Sequence, residues 1–137
     1  MPRGPLNHEL VREFIVAAHG DYDEVARLLK QEPALVHGVI DWGSGDWESA
    51  LGAASHTGNF SIARLLLANG ARMDIFAAAM LGELNVVKAI VENHPETVYA
   101  KGPHGISLIR HAEAGGNAAI FVYEYLSSFL SKEVVGK

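Results

Sequence analysis

The sequence predicts an all-α protein, a solenoid of stacked helix-turn-helix units, and three observations carry that prediction. Glycine followed by Asp, Asn or Glu recurs at Gly20-Asp21, Gly58-Asn59, Gly82-Glu83 and Gly116-Asn117, at intervals of 38, 24 and 34 residues. Periods of this order mark repeated helix pairs. A segment of small residues precedes each pair, and an apolar segment at helical spacing follows the first three. The chain also writes one pattern twice in close succession, "SALGAASHTGNFSIARLLLANGARMD" running directly into "IFAAAMLGELNVVKAIVE".

Taken in order, the first unit covers about residues 8–36. Glu9, Arg12 and Glu13 give its opening helix a polar side, and Val25, Leu28 and Leu29 form the stripe of its second. Spacings of three and four place such side chains on one helix face. Glycine supplies a left-handed turn after each first helix. The Asp or Asn behind it accepts a backbone N–H at the start of the next helix, and Glu83 does this less well. The first unit leaves through "EPALV" and the third through "HPETV", where proline cannot continue a helix.

A finger, "HGVIDWGSGDWES" (37–49), follows the first unit, with Gly43-Ser44-Gly45-Asp46 as its hairpin tip. The second unit (45–72) and the third (73–98) carry Ile62, Leu65 and Leu66, then Val86, Val87, Ile90 and Val91. A second finger, "YAKGPHGIS" (99–107), leads into the fourth unit (103–130). Residues 1–7 and 131–137 are expected to be loose ends. Ala17, Ala18, Ala53, Ala54, Ala77, Ala78 and Ala79 all fall in first helices. Small side chains let those axes approach closely, so the row of first helices is the thin, concave side.

At 137 residues and 49% hydrophobic the chain is one domain with a sizeable core. Its formal charge of −5 argues against nucleic acid. With no cysteine, disulfides and thiolate metal sites are excluded. "MPRGPLNHEL" lacks the apolar core of a signal peptide, and the longest apolar run, Ile75–Leu81, is too short to span a bilayer. A soluble cytoplasmic protein is expected.

The second unit resembles an ankyrin repeat, whose pattern runs roughly G-x-T-P-L-H-x-A-A-x-x-G, then V-x-x-L-L, then G-A. Ser49 stands for the threonine, Leu51 for the leucine, Ala54 and Ser55 for the paired alanines, and Gly58 for the glycine. Leu66-Leu67 and Gly70-Ala71 close it. "GDYDEVARLL", "GELNVVKAIV" and "GISLIRHAEAGGN" match in part, so the resemblance covers about residues 9–126. The family's proline is Ala50 here, and its histidine is Gly52, Phe76 or Arg110. Asp74 is placed to cap the first helix of the third unit. Only Arg72, Met73 and Asp74 separate Gly70-Ala71 from Ile75, so no finger fits between the second and third units. The row of fingers is therefore expected to have a gap.

The resemblance implies a protein–protein interaction module that binds through its concave groove and finger tips. The contact positions it implies are Trp42, Trp47, His56, Thr57, Met80, Leu81, Tyr99, Lys101 and His104. Either tryptophan packs its finger or stands exposed, and Met80 and Leu81 line the groove or pack between units. The net charge favours a basic or neutral partner segment.

Seven histidines raise the question of a metal, but none pair at the i, i+4 spacing of a helical zinc site. His104 and His111 are the least implausible pair. No metal, cofactor or catalytic residue is assigned, since the chain has no nucleophile elbow and no phosphate loop. Two rival readings remain. One is a small enzyme or small-molecule binder with a pocket near the missing finger, lined by His56, Met80, Arg110 and His111. The other is a structural unit: the last helix carries Phe121, Tyr123, Tyr125 and Phe129, which either fold inward or make a weak homodimer.

Overall fold

The computed structural model describes residues 4–135, with side chains through Leu130. Its helices come in pairs. α1 (His8–Ala17) and α2 (Tyr22–Gln31) precede a hairpin of β1 (Val39–Asp41) and β2 (Trp47–Ser49). α3 (Ala50–His56) and α4 (Phe60–Ala68) follow, then α5 (Ile75–Leu81) and α6 (Leu84–Asn93), then α7 (Leu108–Ala114) and α8 (Ile120–Val135). The chain is thus mainly helical with one small antiparallel sheet, and no described helix is long and apolar enough to cross a membrane.

Side-chain oxygens start most of these helices. Asn7, Asp21, Ser49, Asn59 and Asp74 each accept the backbone N–H three residues on, satisfying a donor that the first turn leaves unpaired. Glu83 makes no such bond; its longer side chain fits the cap poorly. Asn117 does not cap the last helix, because Gly116–Ala119 forms a 3-10 turn and α8 begins only at Ile120. Further 3-10 turns at Pro33–His37 and Pro95–Tyr99 follow α2 and α6, as the prolines require.

Left-handed glycines end α3 and α5, with φ of 67° at Gly58 and 79° at Gly82. At Gly82 a Cβ would overlap the carbonyl oxygen of Ala118, so the turn sits directly on the next unit. Gly20 departs from the expectation. It is not left-handed, because the chain leaves α1 through a turn in which its N–H and that of Asp21 both reach back to the Ala17 carbonyl.

First helices pack in a row, α1 on α3, α3 on α5 and α5 on α7; α2 packs on α4 and α6 on α8. Ala17, Ala18, Ala53, Ala54, Ala77, Ala78 and Ala79 are buried between them. The row is tighter than a linear stack, since α7 reaches past α5 to touch α3. α5 is consequently covered all round. Ala77, Met80 and Leu81 join the core built on Phe14, Leu28, Ile62 and Leu66, while Ile75, Ala78 and Ala79 join the core built on Val87, Leu108, Val122 and Leu126.

α8 continues to Val135, so residues 131–135 are helical rather than a loose end; residues 1–3, 136 and 137 lie outside the described residues. Its aromatics divide. Tyr125 and Phe129 fold against the core with rings 5.1 Å apart, whereas Phe121 (67%) and Tyr123 stay exposed.

Candidate functional site

The fingers and the ends of the first helices converge on one carboxylate. In the first finger β1 and β2 pair antiparallel with Ile40 opposite Glu48. Trp42 N–H bonds to the Asp46 carbonyl, and the Asp41 carboxylate accepts from Gly43 and Gly45 N–H, fixing the expected tip. Side chains alternate across a strand, so Trp47 points out (59% exposed) while Glu48 points in (1% exposed) beside Ile40. A charge at a core position needs partners, and Glu48 has four. Trp42 Nε1 donates to Oε1 at 2.8 Å. His56 Nε2 meets Oε2 at 2.9 Å, while His19 Nε2 and His104 Nε2 approach Oε1 at 3.2 and 3.4 Å.

The histidines come from three separate segments. His19 follows α1, where its Nδ1 lies 2.8 Å from the Ile15 carbonyl oxygen. His56 ends α3 and stands between the others, its ring 5.2 Å from that of His19 and 5.4 Å from that of His104, both edge-to-face. His104 belongs to the second finger, where Lys101 and Ser107 pair and Gly102 N–H bonds to the Ile106 carbonyl at 2.8 Å. Its Nδ1 is 2.7 Å from Asp46 Oδ2, and its backbone N–H donates to Asp46 Oδ1 at 2.7 Å. The Arg12 guanidinium lies over the Trp42 ring at 5.7 Å.

Electrostatics follow this geometry. Burial pushes the Glu48 carboxyl up, but hydrogen bonds from His19, His56 and Trp42 outweigh it and hold the group well below the usual carboxylate range. The same hydrogen bond to Glu48 raises His19 above the ordinary histidine value against its own burial. Asp46 is lowered, first by the His104 backbone N–H.

The gap expected in the finger row is closed. The junction after Gly70 carries no strand, as the sequence predicts, but the second finger leans across the space it leaves. His104 binds Asp46, and Pro103 packs so close to Gly52 that a Cβ there would lie 3.2 Å from Pro103 Cγ.

Several sequence-derived contact positions need correction. Met80 and Leu81 are core, not groove, because α3 and α7 cover both sides of α5. Trp42 is half-buried against the first core with its N–H committed to Glu48, so it packs the finger, whereas Trp47 is exposed. Thr57 turns its hydroxyl back onto the Ala53 carbonyl at 2.7 Å. Tyr99 and Lys101 lie at the surface. His56 borders a cleft of about 700 Å³ lined also by Lys101, Ser107, Arg110, Glu113 and Ala114. His111 does not line that cleft. It is buried against Phe76 with Nδ1 on the Ser107 carbonyl and Nε2 unpartnered, and burial lowers its pKa.

Glu48, His19 and Asp46 are absent from the sequence-derived set. The signal for Glu48 is the two-residue alternation of "DWES" opposite "VID", which turns the Glu inward. No family model matches the chain, and comparisons with curated proteins and with solved structures find no match either.

Proposed function

We propose that the chain is a cytoplasmic ankyrin-type interaction module that takes an extended segment of another protein in the cleft between the second finger and the ends of α3 and α7. The observation that carries this reading is the cleft itself, about 700 Å³, framed by His56, Lys101, Ser107, Arg110 and Glu113. Stacked helix pairs, a hairpin finger and left-handed glycines at three unit turns, Gly58, Gly82 and Gly116, support the ankyrin-type assignment.

The cleft also refines the partner. Whole-chain charge favours a basic or neutral segment, but Lys101 and Arg110 outnumber Glu113 along this lining. Local charge governs the encounter, so an acidic or neutral segment fits better. A preformed surface loses little ordering entropy on binding. The charged side chains among the lining residues, and the absence of buried His111 from them, favour a peptide over a small apolar ligand.

An array of extended peptides of graded charge tests the reading. Acidic peptides should be retained, and Lys101→Glu with Arg110→Glu should abolish retention while thermal unfolding stays unchanged. Equal retention by the double variant overturns it.

A further inference from the structure

Three nitrogens, from Trp42, His19 and His104, crowd Oε1 of Glu48, which has only two lone pairs, and the tautomers of His19 and His104 are fixed from behind. His19 Nδ1 faces the Ile15 carbonyl oxygen and His104 Nδ1 faces the Asp46 carboxylate, at 2.8 and 2.7 Å. Neither acceptor carries a proton at neutral pH, so both Nδ1 atoms carry one. In the neutral rings Nε2 then carries a lone pair, and both Nε2 atoms lie near the same oxygen, Glu48 Oε1, at 3.2 and 3.4 Å. Lone pairs held close to an anion repel. The arrangement is relieved by a second proton on each ring or by one cation at the centre.

We propose that His19, Glu48, His56 and His104 form a binding site for a first-row divalent transition metal. One ligand atom from each of the four lies within 4.8 Å of the other three. Nitrogen donors about 2.0–2.1 Å from a tetrahedral zinc stand about 3.3 Å apart, so the ligand atoms must draw in by at most about 1.5 Å to hold an ion. Three imidazoles and one carboxylate suit zinc, nickel or iron, and an imidazole-rich set disfavours magnesium and calcium.

The surroundings are those of a metal centre. Ligating histidines typically donate their other ring N–H to a carboxylate or a backbone carbonyl, which orients the ring. Asp46 does this for His104 and Ile15 does it for His19. Trp42 holds one oxygen of Glu48 through Nε1 and leaves the other turned to His56. The four ligands come from the turn after α1, the first finger, the end of α3 and the second finger, so the ion clips both fingers to the helix row. This site is separate from the peptide cleft except at His56.

Titration of the full chain with Zn2+ against a chromophoric chelator at neutral pH tests the proposal. One equivalent should bind, and Co2+ in its place should show the visible absorption of a four-coordinate nitrogen-rich site. Removing an orienting partner typically weakens a metal about 10–100-fold, which is the expectation for Asp46→Asn; His56→Ala and His104→Ala should reach about 100-fold or more. His94→Ala, at an exposed position outside the cluster, should change nothing. Because loss of the buried carboxylate risks the fold, Glu48→Gln, which keeps an acceptor for Trp42, is the variant of choice there, with circular dichroism as the check. Absence of saturable binding of Zn2+, Co2+ and Ni2+, or binding of equal strength by the His56→Ala, His104→Ala double variant, overturns the proposal and leaves a proton-held network.

Discussion

His104 and Asp46 are 58 residues apart in the chain and meet through two hydrogen bonds, one from the backbone N–H to Oδ1 and one from ring Nδ1 to Oδ2, both 2.7 Å. This pair joins the two fingers across the junction where a third finger is missing. Asp46→Ala should release the second finger without unfolding the helices. Amide hydrogen exchange at residues 104–106 is expected to accelerate while that of α2 and α4 is unchanged; uniform acceleration would show a global role instead.

Two histidines should give stability opposite slopes with pH. His19 has a folded pKa above its ordinary 6.5, so its contribution is complete below that value and fades as pH rises through the raised one. His111 has a folded pKa below 6.5, so the unfolded chain takes up a proton that the folded chain refuses, and stability falls as pH drops beneath 6.5. Glu48, depressed from 4.5, stabilises above that value and loses its contribution as pH falls toward the depressed one. Urea midpoints measured across about pH 5.5–8 should therefore fall less on the acid side in His111→Met and less on the alkaline side in Glu48→Gln. Unchanged slopes in both variants would refute the assignments.

The two tryptophans should differ in their weight on stability. Trp42→Ala removes a half-buried ring and strands Glu48 without its indole donor, an expected loss of about 2–4 kcal/mol. Trp47→Ala, at an exposed position on the first finger outside the cleft, should fall within about 0.5 kcal/mol of the parent and leave peptide retention unchanged. A destabilising Trp47→Ala would mean that the ring packs.

Gly82 and Gly105 offer a matched test of strain against collision. Both are left-handed, with φ of 79° and 71°, but only Gly82 has a neighbour in the way, the Ala118 carbonyl oxygen. Gly105→Ala should cost only the backbone term, about 1–2 kcal/mol. Gly82→Ala should cost clearly more, by denaturant midpoint at constant slope, because the fourth unit must shift. Equal losses would remove the packing argument.

Local signals carried much of the architecture. Asp21, Asn59 and Asp74 cap where their chemistry suggests, the prolines at 33 and 95 follow helix ends, and the alanines of first helices are buried. The lost finger was legible because three residues cannot make a hairpin. What the spacing did not reveal is that α7 touches α3 and that the second finger reaches the first. Those contacts are non-local, and they bury Met80 and Leu81 on a helix with no solvent face. The histidine–glutamate cluster was hidden for the same reason. A search for ligand pairs along one helix misses a site that draws one residue from each of four segments, and only the inward phase of Glu48 on its strand hinted at it.

Because α5 belongs to both cores, the molecule has no seam along which to part. Arrays in which every module keeps its own interior can fray one end at a time, but here the middle helix is shared property of both halves. A fragment stopping before Ile75, or starting after Leu81, would leave the face that packs on α5 open to water. The chain is expected to melt in one transition and to tolerate no cut there.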